Sequence, residues 1–367
     1  MTRPLALHGW VWSRNYGDLL MLDLAKGWVL NAAEGGVTVP LANAEVAADL
    51  NLRIGRGVSD LLESRSLIIP GGGAFGMRPH GGLRQRVRMM RRFASPLGLQ
   101  WLTRKPFSLV AIGAGPFGGG SDGRLIGALF DRAAFISVRD EESMHLLRKA
   151  GLKRSDAEVT ADIVLSLTRA DIPPAATIRA RDLLMSLGNE PIIGIHLSGS
   201  PEDEDYEGVH AGVLQAAADH PYANFALIID HPARDGVSSQ QRAAAYLLSQ
   251  LPGRSKVIEY SDHWTLAALL GELGGVITNK LHVAITSMAL GNPAGAIAQH
   301  PKNHRLFRQL SLSDRCVDLH GVEAKTVRRL FNEIIESGAG SCDVPASVRS
   351  ASLSNRMTIA RLATLNV

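Results

Sequence analysis

The sequence predicts two α/β domains with mainly parallel sheets, and three observations lead to this fold class. Its 367 residues are too many for one ordinary hydrophobic core. Short apolar strands alternate with helical segments, and this order is interrupted by a looser, proline-containing stretch at 168–175. The alternation then restarts. We therefore predict domains at 1–170 and 191–340, a linker at 171–190, and a tail at 341–367 with a terminal helix.

The first half of the chain contains five predicted strands that lead into glycines or polar residues. The strands are predicted at 5–12, 37–41, 66–70, 109–116 and 135–138. Glycines at such ends let backbone N–H groups approach an anion closely, although they also make ordinary tight turns. The candidate positions here are Asn15, Gly17, Asp18, Gly72, Gly73, Gly113, Gly115, Arg139 and Asp140.

The second half repeats the pattern, with strands predicted at 191–197, 225–229, 256–260 and 276–278. Ligands of parallel sheets bind at the carboxyl ends of strands, and a two-domain protein of this kind places its site in the cleft between the domains. The polar residues at these ends are Ser198, Ser200, Asp230, His231, Lys280 and His282.

The segment 275–287 is the strongest single candidate for a site. A buried strand ends at Thr278, Asn279 is positioned to cap a helix, and Lys280 and His282 stand at the start of that helix. A helix N-terminus binds anions, and histidine exchanges a proton near neutral pH. The pattern indicates an anion site with a proton donor beside it. On spacing alone, an ordinary solvated or hydrogen-bonded lysine and histidine are the favoured explanation.

The basic residues are unevenly distributed. Eight of the 39 lie between Arg78 and Lys105, where no acidic residue occurs, so the rest of the chain has fewer basic than acidic residues. Apolar residues at helical spacing predict a basic amphipathic helix at 83–97. Such a helix favours peripheral contact with an anionic membrane through 83–105 or contact with an anionic substrate, and an ordinary solvated helix is the alternative. Nucleic acid is disfavoured, because no binding motif accompanies the charge.

Several classes of protein are excluded by missing motifs. The glycines at 71–73 are not followed by the Gly-Lys-Ser/Thr of a P-loop, and neither a dinucleotide-binding fingerprint nor a serine-hydrolase elbow occurs. The histidines are scattered along the sequence, which predicts no metal site. The two cysteines have neither metal-binding nor redox spacing, which indicates a reducing compartment. With no signal-peptide pattern or long apolar run, we expect a cytoplasmic protein.

Taken in their order along the chain, the motifs at the predicted strand ends resemble those of the polysaccharide pyruvyl transferases. The resemblance extends from about residue 15 to 312 and implies two Rossmann-like domains facing a central cleft, as in GT-B glycosyltransferases. It also implies transfer of pyruvate from phosphoenolpyruvate to a sugar as a ketal, without a cofactor. The implied acceptor is an exopolysaccharide or its lipid-linked oligosaccharide precursor, which is assembled at the inner membrane face. The matching segments are 15–18, 71–73, 112–116, 137–143, 162–164, 278–282, 292–293 and 301–307.

The resemblance suggests a role for each candidate residue. Arg139 and Lys280 would bind phosphoenolpyruvate, and His282 would be the general acid. Asp18 would orient or deprotonate an acceptor hydroxyl, with helix capping as its alternative, and His231 is a reserve candidate. The remaining predicted substrate-binding residues are Asn15, Gly17, Gly72, Gly73, Gly113, Gly115, Ser198, Ser200 and Lys302.

The chain departs from the family pattern at two positions. It has Lys280 where the family usually has arginine, and it lacks the arginine often found in the loop at 198–200. Both changes weaken two-pronged binding of an anion, because lysine acts as a point charge.

Two other classes of function remain open at this stage. One is a glycosyltransferase that uses a nucleotide sugar, and the other is a non-catalytic protein that binds a sugar or an anion.

Overall fold

The computed structural model describes residues 3–32, 34–73, 75, 83–115, 121–232 and 237–364, which form two compact units. The first unit contains residues 1–166 and 346–367, and the second contains 167–345. Each unit has a six-stranded parallel sheet with helices packed on it. The predicted fold class is confirmed. Arg78, Pro116 and the side chain of Arg86, which belong to predicted motifs, lie outside the described part of the chain.

The sheet of the first unit has the strand order β2-β1-β3-β4-β5-β6, with parallel pairing throughout. Its strands are β1 (Leu5–Leu7), β2 (Val37–Thr38), β3 (Leu67–Pro70), β4 (Phe107–Ile112), β5 (Phe135–Val138) and β6 (Glu158–Val159). Its first seven helices are α1 (Tyr16–Ala32), α2 (Ala44–Asp49), α3 (Val58–Glu63), α4 (Leu83–Met89), α5 (Ser95–Leu102), α6 (Ser121–Phe130) and α7 (Glu141–Lys149). A π-helical turn, Met90–Ala94, joins α4 to α5.

The sheet of the second unit has the order β12-β11-β10-β7-β8-β9 and is also parallel. Its strands are β7 (Ile192–His196), β8 (Asn224–Ile228), β9 (Ser255–Ile258), β10 (Gly275–Thr278), β11 (Ala294–Ala298) and β12 (Cys316–Asp318). Its helices are α8 (Pro174–Leu184), α9 (Glu207–Asp219), α10 (Ser239–Gln250), α11 (His263–Glu272), α12 (Leu281–Ala289), α13 (Pro301–Gln309) and α14 (Ala324–Ser337).

Central strands are buried on both faces, which explains their apolar sequences. All residues of β3, β4, β10 and β11 are buried, because helices cover both sides of each sheet. In the second unit, Phe225 of β8 packs against Phe331 of α14, with ring centroids 6.1 Å apart. No helix in the described ranges is both long and apolar enough to cross a membrane.

The segment 171–190, which the sequence analysis assigned to a linker, contains α8 and belongs to the second unit. The proline pair at 173–174 suggested a break in structure. Proline is favoured in the first turn of a helix, however, because its missing N–H is not needed there. Pro174 accordingly begins α8.

The last helix, α15 (Ala346–Thr364), packs in the first unit, whereas the sequence analysis treated 341–367 as a separate tail. Buried Asn355 attaches it: its Nδ2 donates to the carbonyl of Ala161 at 2.9 Å, and its Oδ1 accepts from Ser137 Oγ at 3.0 Å. Ser352 Oγ donates to the carbonyl of Asp162 at 2.7 Å. The chain therefore completes its first unit only after the second has been synthesised.

We expect Asn355→Ala to lower the free energy of unfolding of the first unit by about 1–3 kcal/mol, because it leaves buried hydrogen-bonding groups unpaired. Denaturant unfolding followed by tryptophan fluorescence measures this, since four of the five tryptophans lie at positions 10–101. Exposed Ser350, on the same helix, provides the control Ser350→Ala. Equal stability of the two variants would show that these hydrogen bonds do not anchor α15.

Candidate functional site

Three titratable side chains meet at the carboxyl edge of the second sheet. His196 is the last residue of β7, and Asp230 and Lys280 each lie two residues beyond the ends of β8 and β10. These strands are neighbours in the order β10-β7-β8, so their carboxyl ends lie side by side. Asp230 Oδ1 is 3.4 Å from His196 Nε2, and its Oδ2 is 3.6 Å from Lys280 Nζ.

The Asp230 carboxyl group is 2% exposed and ionised. Its burial alone would raise its pKa. The neighbouring side chains of His196, His231 and Lys280 hold the pKa of Asp230 well below its ordinary value of 3.8. Gln240 Nε2 donates to Asp230 Oδ1 at 2.7 Å. The result is a buried negative charge that contacts the Gln240 amide and the Lys280 ammonium group.

Lys280 is attached to this edge through its backbone as well as its side chain. Its N–H donates to Thr278 Oγ1 at 2.9 Å, and the same oxygen lies 3.0 Å from His196 Nδ1. Lys280 is the N-cap residue of α12, and lysine has no acceptor with which to cap the first turn. The first turn of α12 therefore begins without a side-chain cap from Lys280, and partly buried His282 lies in that turn.

Asn279, predicted to cap the helix, does not do so, and that prediction is wrong. Its Nδ2 donates to the carbonyl of Ile297 at 2.7 Å, and its Oδ1 accepts the N–H of Ser198 at 3.0 Å. Because β10 lies between β7 and β11, the Asn279 side chain connects the ends of these two neighbouring strands instead of capping α12. The N-cap residue of α12 is Lys280.

The loop after β7 contains the predicted residues Ser198 and Ser200. The N–H of Ser200 donates to Asp203 Oδ2 at 2.7 Å, and its hydroxyl donates to Glu202 at 3.0 Å. These carboxylates thus engage Ser200 within the loop. Gly199 is required here, because a Cβ atom at this position would lie 2.3 Å from Tyr206 Cε2.

The start of α13 lies at the same edge, since β11 is the neighbour of β10. Lys302 is in its first turn, and its N–H donates to Nδ1 of the N-cap residue His300 at 3.2 Å. Buried Asn303 donates from Nδ2 to the carbonyl of Asn279 at 3.4 Å. This contact connects α13 to the residue that precedes Lys280.

In the first unit, Arg139 lies just beyond β5 and is buried. Its guanidinium contacts two carboxylates, Asp162 at 3.1 Å and Asp140 at 3.7 Å. Gly113 makes room for it, because a Cβ atom there would lie 2.8 Å from Arg139 Cζ. Asp140 also caps α7 by accepting the N–H of Ser143. Arg139 thus connects the ends of β5 and β6 and lies against Gly113 at the end of β4.

Three of the predicted glycines of the first unit, Gly72, Gly113 and Gly115, take part in backbone hydrogen bonds. The N–H of Gly113 donates to the carbonyl of Gly72 at 2.8 Å, and that of Gly115 donates to the carbonyl of Phe75 at 2.9 Å. Gly72 has φ +84° and Gly115 has φ +74°, a region that favours glycine. These residues connect strand ends, and adjacent Gly73 is exposed.

Asn15, Gly17 and Asp18 were predicted to form a loop after β1, but α1 already begins at Tyr16. Asn15 Oδ1 accepts the N–H of Gly17 at 3.2 Å, so Asn15 behaves as a helix cap. Asp18 lies in the first turn of α1, where a carboxylate interacts favourably with the helix dipole. The segment between β1 and α1 therefore spans residues 8–15, because β1 ends at Leu7 and not at the predicted residue 12.

The structure groups the predicted residues by unit. Lys280, His282, Ser198, Ser200 and Lys302 follow strands or begin helices at one edge of the second sheet. Arg139, Asn15 and the glycines hold the corresponding positions in the first unit, and a site shared with the second unit stays a prediction.

His196 was not predicted as a site residue. A histidine that ends an otherwise apolar strand was the available signal. In the described part of the chain, no cluster of three or more histidine, cysteine or acidic residues is arranged to hold a metal ion.

A family model described as polysaccharide pyruvyl transferase matches residues 15–301. The chain belongs to this family. The match covers both units and makes the chain a pyruvyl transferase. Among curated proteins, the amylovoran biosynthesis protein AmsJ of Erwinia amylovora is 24% identical over 290 residues, which are 76% of this chain and 68% of AmsJ.

Solved structures with low sequence identity support the fold of this pyruvyl transferase. The UDP-GlcNAc 2-epimerase of Neisseria meningitidis superposes with a TM-score of 0.62 at 12% identity, covering 98% of this chain and 100% of that one. The enzyme from Methanocaldococcus jannaschii gives a TM-score of 0.60 at 10% identity, covering 98% and 99%. At these identities the similarity concerns the fold alone.

We expect Asp230→Asn to weaken the acid dependence of stability. The folded-state pKa of Asp230 lies below its unfolded value of 3.8, so its stabilising contribution is present above that pH and is lost as the pH falls below it. Thermal unfolding followed by circular dichroism from about pH 7 to pH 3 should show a smaller loss in the variant. Exposed Asp343 supplies the control Asp343→Asn, which should follow the wild type. Parallel curves for all three proteins would contradict the prediction.

Proposed function

We propose that this pyruvyl transferase takes pyruvate from phosphoenolpyruvate and forms a ketal on two hydroxyl groups of one sugar, releasing phosphate. Support comes from family membership together with one arrangement: a lysine and a histidine in the first residues of α12, at the carboxyl edge of a parallel sheet. Such a position suits a compact, multiply charged anion.

In this scheme Lys280 and the N-terminus of α12 hold the phosphate or carboxylate of the donor. The ammonium supplies charge, and the backbone N–H groups supply direction. Lys302, in the first turn of α13, is the second lysine proposed for anion binding at this edge. Ser198 and Ser200 belong to the same edge, where Ser198 is the better candidate because carboxylates already engage Ser200.

His282 is the proposed general acid. It gives a proton to the methylene carbon of phosphoenolpyruvate, and cationic character develops at the central carbon. One sugar hydroxyl adds there, the carbon–oxygen bond to phosphate breaks, and a second hydroxyl adds to close the ketal. Of the two hydroxyl protons, one restores His282 and the other leaves with phosphate. His231 is the reserve candidate for this role.

The residues of the first unit are proposed to serve the acceptor and the carboxylate of the donor. Asp18 would orient or deprotonate a hydroxyl of the acceptor, and Asn15 and Gly17 lie beside it at the start of α1. Arg139 would attract anionic groups, although its contacts with Asp162 and Asp140 already compensate much of its charge. The glycines Gly72, Gly73, Gly113 and Gly115 would allow close approach of the substrates.

The acceptor is proposed to be a lipid-linked oligosaccharide, reached from the inner face of the membrane. The helical segment 83–102 favours this, because Phe93 and Leu97 are buried in the first unit while Arg84, Arg88 and Arg91 are exposed. Trp101 and Leu102 are exposed apolar residues at its end, and Arg132 lies over the Trp101 ring at 4.3 Å. Exposed aromatic and aliphatic side chains beside arginines fit an anionic bilayer surface.

The first test replaces the proposed general acid. His282→Ala should lower turnover about 10²- to 10⁴-fold, measured as phosphate released from phosphoenolpyruvate with oligosaccharide lipids as acceptors. His320, which is 95% exposed, provides the control His320→Ala with unchanged turnover. Turnover of His282→Ala like that of the wild type would rule out this role for His282.

The same assay tests the reaction itself. Transfer of sugar from a nucleotide sugar, without response to phosphoenolpyruvate, would replace the proposed reaction by glycosyl transfer. Binding of the ligand without release of phosphate would indicate a non-catalytic protein.

The second test concerns the membrane. Changing the exposed residues Arg84, Arg88 and Arg91 to glutamine should weaken binding roughly 100-fold, at about 1 kcal/mol for each basic residue near the surface. Sedimentation with vesicles of phosphatidylcholine and phosphatidylglycerol at low salt measures it. A matched control changes three exposed arginines of other helices, Arg329, Arg356 and Arg361. Equal loss in both triple variants would mean that charge in general, and not this segment, determines binding.

A further inference from the structure

Asp230 contacts Lys280 from the interior of the second unit. The reaction proposed above assigns no chemical step to Asp230. The carboxylate is 2% exposed, whereas the lysine side chain is 36% exposed, so the pair extends from the interior to the surface. The distance from Asp230 Oδ2 to Lys280 Nζ is 3.6 Å. The ammonium group is thus held from its inner side and reaches solvent on its outer side.

The carboxylate itself is fixed by its surroundings. The Gln240 side chain donates from Nε2 to Asp230 Oδ1 at 2.7 Å and accepts the Asp230 N–H on its Oε1 at 3.2 Å. Gln240 is buried in the first turn of α10, and its Nε2 is also 3.1 Å from His196 Nε2. A clamp of this kind leaves Asp230 Oδ2 directed at Lys280.

We propose that Asp230 is a positioning residue, which fixes the Lys280 ammonium where it contacts the anionic donor. This inference rests on the proposed function, since it assigns a purpose to the place of Lys280 in donor binding. Gln240 and His196 act one step further back, by holding the carboxylate.

The physical reason lies in the nature of lysine. Its flexible four-carbon stem carries about 2 kcal/mol of rotamer entropy, and its ammonium group is a point charge without preferred direction. Binding an anion through a mobile lysine loses part of that entropy, and a partner that orders the side chain beforehand removes much of the loss. A buried carboxylate also needs the lysine, because an unpaired buried charge is strongly unfavourable.

The test combines substitutions in both partners. Asp230→Asn keeps the shape of the side chain and its acceptor for Gln240, and removes the charge. It should raise the KM for phosphoenolpyruvate about tenfold with kcat within about threefold, because uniform binding of the donor is lost. In a Lys280→Met background the same change should have no further effect on KM. Additive effects would overturn the proposal, since they would mean that Asp230 does not act through Lys280.

A matched control uses an ion pair at the opposite edge of the same sheet. Asp219 ends α9 shortly before β8 begins, and it pairs with Arg328 of α14. Asp219→Asn removes one charge and one ion pair, and its KM should remain that of the wild type. A rise equal to that of Asp230→Asn would assign the effect to net charge and reject the positioning role.

A second readout does not depend on catalysis. The rate at which acetic anhydride acetylates Lys280, followed by peptide mass spectrometry, should rise several-fold in Asp230→Asn, while exposed Lys325 reacts at an unchanged rate. An unchanged rate at Lys280 would reject the contact. If the wild type releases no phosphate from phosphoenolpyruvate, the proposed function fails and the labelling result alone decides on Asp230. Should Asp230→Asn fail to fold, Gln240→Met removes the clamp and provides the same two measurements with the same outcomes.

Discussion

The carboxyl edge of the second sheet depends on the pairing of a buried carboxylate with groups that reach it from neighbouring strands. Asp230 is buried from solvent, and an isolated carboxylate in that environment would take up a proton. It remains ionised because His196, Lys280 and Gln240 surround it, each from a different element. The requirement to satisfy one charge therefore determines how the ends of three strands and the starts of two helices are arranged.

The two units meet this requirement in different ways. At the edge of the first sheet Arg139 and Asp162 are buried together, and Arg139 also contacts Asp140. At the edge of the second sheet buried Asp230 contacts Lys280, whose side chain is 36% exposed. The first arrangement turns its cation inward and the second turns one outward. This difference is the reason to seek the anionic donor first at α12.

Much of this was predictable from sequence, because apolar strands followed by glycine or polar residues are local signals. The parallel sheets and the positions of Lys280 and His282 follow from them. The role of Asn279 was not predictable, because it depends on β11, an alanine-rich strand without the usual β-branched pattern. The return of α15 to the first unit and the pairing of His196 with Asp230 depend on contacts between distant segments, and local patterns do not contain them.

A lysine in place of an arginine changes what the surrounding structure must provide. Arginine brings its own geometry, since its planar fork matches a carboxylate or phosphate in two places. Lysine brings charge alone, so the direction of its ammonium group must come from a neighbouring acceptor, which here is the Asp230 carboxylate. The carboxylate also reduces the net positive charge at this edge of the sheet. Under the proposed function, orientation of Lys280 is gained at the expense of attraction for the donor, and the N-terminus of α12 and Lys302 of α13 would supply the missing attraction.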